Sequence, residues 1–226
     1  QALKEITANG QIPIVVGGTG FYIQALLYDI DFTSTSQDDN YRQDLENLAK
    51  EKGAEYLHNM LREIDPKSAE DIHANNIKRV IRALEYYQQT GQKISEHNEA
   101  EREKESAYNS AYFVLTDDRK ILYDRIDKRV DLMMQEGLLE EVNALRLRGL
   151  KRESVAMQGL GYKELFGYFE GEYPLEEAVR IIKRDTRHFA KRQLTWFRRE
   201  RDVIWLDKSE IGREDKQLIQ QMLTVL

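Results

Sequence analysis

Residues 17–20, Gly17-Gly18-Thr19-Gly20, join an apolar run to a helical pattern and are the first place in this chain where chemistry could sit. Three of the four lack a Cβ, so the backbone can approach a ligand closely, and the Thr19 hydroxyl can donate or accept at the mouth of the turn. A tight turn from strand to helix accounts for the same residues. The loop is not a Walker loop, because no G-x-x-x-x-G-K-[ST] occurs anywhere in the 226 residues. A second candidate is the pair Arg125 and Arg129, four apart and therefore on one helix face beside the apolar stripe Leu122, Ile126, Val130 and Met133. Two guanidiniums there could converge on a diphosphate, or they could pair on the surface with Asp124 or Asp127.

A third candidate is the run in which Lys183, Arg187 and Lys191 recur every fourth residue, followed by Arg192, Trp196, Arg198 and Arg199. Cations interleaved with aromatics suit an RNA loop, where charges meet phosphates and rings or guanidinium planes stack on unpaired bases. A solvated helix face is the competing reading of any such run. Lys78, Arg79 and Arg82 form a smaller basic group after Ile72-His73-Ala74-Asn75-Asn76, where His73 reads as a capping or packing residue. Gln158-Gly159-Leu160-Gly161-Tyr162-Lys163 is another glycine-punctuated loop. None of the four histidines forms a ligand pair at metal spacing, and chain order alone assembles no Ser/His/Asp arrangement.

The charge distribution decides how seriously the basic run is taken. Net charge is −6, which taken alone argues against a nucleic-acid binder. Residues 183–201, however, hold eight Lys or Arg against two acids, so a cationic stripe lies on an acidic body. Counterion release depends on the contact patch and not on the total, so the stripe is what a phosphate backbone would meet. Without cysteine there is no disulfide framework, thiolate ligand or thiol nucleophile, and a cytoplasmic location is expected. No apolar run approaches the roughly 18 residues of a membrane-spanning helix, and the first residues lack a secretory signal pattern.

These candidates need elements to position them. The run Ile12-Pro13-Ile14-Val15-Val16 predicts a strand buried on both faces, as in a parallel sheet, with a helix over residues 21–27 after the glycine loop. Residues 111–116 and 203–207 predict two further strands, with helices at about 119–147 and 175–201 between them. From residue 33 to about 106 the texture is charged and helical, with Pro66 opening one helix after Asp65 and residues 77–89 forming another. The expected organisation is an α/β body from residues 1–36 and 109–226, interrupted by an all-helical insertion over 37–108.

Together and in order, these segments resemble the tRNA dimethylallyltransferases, also called tRNA isopentenylpyrophosphate transferases. The carrying residues are Val15-Val16-Gly17-Gly18-Thr19-Gly20-Phe21-Tyr22, Ile72 to Asn76 with Arg79, Arg82, Ala83, Leu84 and Glu85, then Arg125 and Arg129, Gly137-Leu138-Leu139-Glu140-Glu141-Val142, Gln158 to Glu164, and Thr186-Arg187-His188-Phe189-Ala190-Lys191-Arg192-Gln193-Leu194-Thr195-Trp196-Phe197-Arg198. The resemblance implies a P-loop-kinase-like body with a helical insertion. The implied activity is transfer of the dimethylallyl group from dimethylallyl diphosphate to N6 of adenosine 37, beside the anticodon, with Mg2+. It implies that Thr19 and Arg42 contact the target nucleotide and that the tRNA anticodon stem-loop is held by Lys78, Arg79, Val80, Ile81 and Arg82, by Gln158, Gly159, Leu160, Gly161, Tyr162 and Lys163, and by Lys191, Arg192, Gln193, Leu194, Thr195, Trp196, Phe197 and Arg198. Arg125 and Arg129 become candidates for the diphosphate. Ala74 and Asn76 stand where the family usually has Pro and Asp, which would alter the turn before the insertion helix.

The family's Walker loop and its general-base aspartate would lie ahead of the strand at Ile12, so the 226 residues are expected to be a fragment without activity alone. The expected protein is a cytoplasmic monomer with no membrane partner. Two other classes of reading are a non-catalytic RNA-binding module and an adenine-nucleotide isopentenyltransferase. A helical insertion and a basic helix are superfluous for a mononucleotide.

Overall fold

The structure, a computed structural model, describes residues 1–29 and 39–226. In chain order its elements are α1 (Ala2–Ala8), α2 (Gly20–Tyr28), α3 (Asp39–Lys52), α4 (Ala54–Ile64), α5 (Pro66–Asp71), α6 (Ile77–Thr90), α7 (Ile94–Glu103), β1 (Tyr112–Thr116), α8 (Arg119–Gln135), α9 (Leu138–Leu147), a 3-10 turn (Val155–Gln158), α10 (Tyr162–Phe169), α11 (Leu175–Phe197), β2 (Val203–Asp207), α12 (Lys208–Ile211) and α13 (Asp215–Leu223). The chain divides into two compact units, Gln1–Gly20 with Ser110–Leu226, and Phe21–Asn109. The boundary expected between residues 36 and 37 lies outside the described residues.

In the first unit β1 and β2 pair in parallel, with Tyr112 opposite Val203 and Thr116 opposite Asp207. Parallel neighbours require a long crossover, and α8 to α11 supply it. The helices bury Val130, Leu138, Val142, Leu165, Phe166, Ala178 and Ile182 against one another. Asp118 starts α8 by accepting from the Lys120 and Ile121 amides at 2.9 and 3.1 Å, leaving fewer orphan donors in the first turn. The single helix expected over 119–147 is instead two. Gly137, at φ +102°, turns the chain between them in a conformation that side chains disfavour, and the turn delivers Leu138 and Val142 to the core.

The strand expected at residues 12–16 is not formed. The segment makes no ladder, and Ile12, Ile14 and Val16 are more than four-fifths exposed. A strand exists by its hydrogen bonds to a neighbour. Among the described residues the sheet contains β1 and β2 only, and Pro13 removes one donor from the segment. An apolar run reports that burial would be favourable and does not supply the partner that makes it a strand.

The elements of the second unit are all helices among its described residues, and its core joins Leu45, Leu57, Leu61, Val80, Ile81 and Leu84. Asp65 fixes three of its helices. Its buried carboxylate accepts from the amide and hydroxyl of Ser68, at 3.0 and 2.7 Å, and from those of Ser95, at the same distances. The end of α4, the start of α5 and the start of α7 therefore meet on one anion. Burial alone would raise this carboxyl's pKa, but the bonds from Ser68 and Ser95 outweigh it and hold the pKa below its ordinary value.

Candidate nucleic-acid interface

At the carboxyl ends of β1 and β2, where open parallel sheets place ligands, lies a groove of about 560 Å³. Thr116, Asp117 and Asp207 come from the strand ends, Arg119 and Tyr123 from α8, and Lys191, Thr195 and Arg198 from α11. Asp117 is nearly sealed, with its side chain 3% exposed. Arg213 donates to both of its oxygens, at 2.9 and 3.2 Å, and Arg125 stands 3.9 Å away. The Arg213 bonds hold the Asp117 carboxyl below its ordinary pKa against the opposing effect of burial.

The basic run on α11 divides into two parts that the sequence does not distinguish. Lys183 pairs with Asp131 at 2.6 Å and Arg187 pairs with Asp127, both acids being on α8. Those two cations are committed to holding α11 against α8. Lys191 and Arg198, about one and three turns beyond Arg187, are exposed and line the groove. The cationic surface offered to a phosphate therefore begins at Lys191. Arg192 lies over the Phe189 ring at 5.8 Å, while Phe197 is buried and Leu194 partly so.

The glycine loop sits on this same stretch of α11 but on its other face, about 200° round the helix from the groove-lining residues. Gln193 Nε2 donates to the Gly18 carbonyl at 2.7 Å, and Gly20 is buried against the Trp196 indole. Thr19, between them, is exposed. The structure thus joins Thr19 to the run 191–198, although 175 positions separate Gly18 from Gln193.

Arg125 and Arg129 share a face of α8 as expected, but neither pairs with Asp124 or Asp127 in the ion pairs seen. Arg125 leans to Asp117 ahead of the helix and Arg129 to Glu136 behind it, at 3.9 and 3.8 Å. As placed the two guanidiniums are drawn apart. Both are more than half exposed and can reorient.

The second glycine-punctuated loop is built to hold its shape. Gly161, at φ +96°, donates its amide to Glu164 at 2.8 Å, Lys163 stands 3.4 Å from the same carboxylate, and the Tyr162 hydroxyl donates to Glu141. That last bond, with burial, raises the Tyr162 pKa. Gln158 and Gly159 are exposed, Leu160 partly so.

In the helical unit, the run at the start of α6 alternates in role. Lys78, Arg79 and Arg82 are exposed, while Val80 and Ile81 are core residues. Asn76 precedes α6 without a side-chain capping bond, and His73 Nδ1 accepts the Asn75 amide at 3.2 Å, so the histidine shapes the turn. Arg42 is held by a two-pronged ion pair to Glu85, at 2.9 and 2.7 Å, with the carboxylate buried. Sequence reasoning missed the pairs that Glu85, Asp127 and Asp131 make, having weighed Asp127 only as a partner of Arg125 or Arg129. For the two aspartates a signal was present: acids four apart on α8 match bases four apart on α11.

A groove lined by cations at the carboxyl ends of parallel strands, on a helix that also clamps a glycine loop, defines an α/β protein equipped to hold a phosphate-bearing polymer. The chain belongs to the IPP transferase family, whose signature covers residues 1–200. It is 56% identical to a tRNA dimethylallyltransferase of Lachnoclostridium phytofermentans over all of its length and 72% of that enzyme's, and 52% identical to that of Acetivibrio thermocellus over 95% of this chain and 68% of the other. Among solved structures, the tRNA isopentenylpyrophosphate transferase of Bacillus halodurans matches 99% of this chain and 69% of its own, at a TM-score of 0.65 and 40% identity. A eukaryotic dimethylallyltransferase described as acting on tRNA matches 98% of this chain and 57% of its own, at 0.74 and 27% identity. The P-loop-kinase-like fold expected from the sequence is the fold of these neighbours.

Proposed function

We propose that this protein transfers a dimethylallyl group from its diphosphate to N6 of adenosine 37 in tRNA, as a cytoplasmic monomer. The observation that supports the reading is the exposed Thr19, whose flanking glycines are held on α11, the helix that also carries the groove cations Lys191 and Arg198. An exocyclic adenine nitrogen is a weak nucleophile, and the allylic C–O bond breaks readily only when charge building on the departing diphosphate is stabilised. As the new C–N bond forms, N6 loses a proton to a base. The base must meet an adenine swung out of its stack, at a cost of a few kcal/mol that is least in an unpaired loop.

In this scheme Lys191 and Arg198 hold the RNA backbone, Tyr162 offers a ring to an unstacked base, and Arg42, Lys78, Arg79 and Arg82 extend the grip. The Thr19 hydroxyl meets the everted nucleotide. Arg125, beside the groove, and Arg129 serve the diphosphate. Mg2+ would neutralise that diphosphate, but the described residues do not fit it: no group of three or more His, Asp or Glu is gathered as a cation cage, and Asp117 is saturated by Arg213. No helix among the described residues is long and apolar enough to cross a membrane.

The test is Thr19→Ala in the whole enzyme, assayed with an anticodon stem-loop RNA and dimethylallyl diphosphate. Transfer should slow at least tenfold with the melting temperature unchanged, and a wild-type rate would leave the loop as a turn.

A further inference from the structure

The carry-over from the family makes Gln193 and Trp196 contacts to RNA. The structure assigns them a different task, which rests on the reading of Thr19 above: we infer that Gln193 and Trp196 are positioning residues that fix the Thr19 loop on the basic helix.

The argument starts from room. A Cβ at Gly18 would lie 2.5 Å from Gln193 Nε2, and one at Gly20 would lie 2.2 Å from Trp196 Cδ1 and 2.3 Å from its Nε1. A Cβ at Gly17, one residue before, would meet nothing within 4 Å. Neither Gly18 nor Gly20 has a positive φ, so the backbone conformation itself does not require glycine at these two places. Closeness to α11 does. The loop is pressed onto the helix at two points, one on each side of Thr19.

The two contacts differ in kind and complement each other. Gln193 donates to the Gly18 carbonyl at 2.7 Å, which fixes the peptide entering Thr19. Trp196 packs its indole against Gly20, the first residue of α2, which fixes the peptide leaving Thr19. The Trp196 side chain is in turn hydrogen-bonded to Glu200, just past the end of α11. Thr19 has one free rotor between two clamped peptides. A displacement of about 1 Å at a reacting centre can cost on the order of a hundredfold in rate, so a residue that never touches substrate can govern turnover through this loop. The same contacts fix the loop to the helix that carries Lys191 and Arg198.

Gln193→Leu in the whole enzyme keeps the side-chain volume and removes the donor. The expected result is a fall in kcat of about tenfold to a hundredfold, with KM and Kd for the stem-loop RNA changed less than about threefold. In a Thr19→Ala background the same substitution should cost nearly nothing further, because its effect passes through Thr19. Gln193→Arg, which can still reach the carbonyl with a donor, should recover part of kcat. Weaker RNA binding by Gln193→Leu in both backgrounds, or kcat losses that simply multiply, would make Gln193 a direct RNA contact and overturn the proposal. If Thr19→Ala itself turns over at the wild-type rate, the reading of Thr19 fails separately. Amide exchange then decides the positioning claim: faster exchange at Thr19 and Gly20 in Gln193→Leu sustains it, and unchanged exchange overturns it.

Discussion

Removing cations one at a time along α11 separates the two halves of the basic run. A protein that neutralises a phosphate releases counterions, and log K falls with log salt by about 0.7 per contact for a single strand and 0.9 for a duplex. Lys191 and Arg198 are exposed in the groove, so Lys191→Ala and Arg198→Ala should each flatten the slope for a stem-loop RNA by about that amount. Over a fourfold rise in salt, from roughly 50 to 200 mM, each variant would then lose affinity about threefold less steeply than the parent. Lys183 and Arg187 already face Asp131 and Asp127, so Lys183→Ala and Arg187→Ala should leave the slope unchanged. Their cost should be in stability, about 0.5–1 kcal/mol for a partly exposed pair, read from the melting temperature. Fluorescence anisotropy titrations at four or five salt concentrations measure all of this. Equal slope changes at all four positions would refute the division, since they would mean that RNA displaces the α8 acids.

Asp65→Ala should destabilise the helical unit by about 3–5 kcal/mol, because four donors from Ser68 and Ser95 lose their anion, as urea titration would show. Since the folded pKa of Asp65 is depressed, its contribution is complete above the ordinary carboxylate value of 3.8 and is lost as pH falls below it; the stability gap between the parent and Asp65→Asn should close over that range in acid titrations. Glu85→Gln should weaken RNA binding about two- to tenfold, matching the roughly 0.5–1.5 kcal/mol needed to order one long side chain, with Arg42→Ala in the same background adding little. The 226 residues contain no Walker loop, so assayed alone they should bind stem-loop RNA without transferring the prenyl group; measurable turnover would show that the base lies within them.

What the sequence made legible was whatever a local pattern encodes. The strands at β1 and β2 stand where apolar β-branched runs placed them, Pro66 opens α5 behind Asp65, and α6 runs within a residue of its apolar periodicity. The glycine loop and the basic run were both visible as chemistry. Their contact was not, because a bond between Gln193 and Gly18 has no local signature. Asp65 looked like the residue before a proline, and nothing at Ser95 announces that it completes the same anion site thirty residues later. The run at 12–16 shows the opposite failure: local pattern was strong and the neighbour needed to realise it is not among the described strands.

The acids on α8 also bear on where an RNA can sit. With Lys183 and Arg187 withdrawn, the groove-lining cations of this helix run from Lys191 to Arg198, seven steps or about 10 Å at 1.5 Å per residue. That length admits only a few phosphates, far fewer than the eight bases of the sequence run suggest. On a chain of net charge −6, a longer RNA path along α11 would run onto Asp127 and Asp131, so the same ion pairs that hold the helix to the body end the binding surface. Gln193 and Trp196 lie inside that short window and reach the Thr19 loop from it. A phosphate backbone confined to this window is therefore confined to the length of helix onto which the Thr19 loop is clamped.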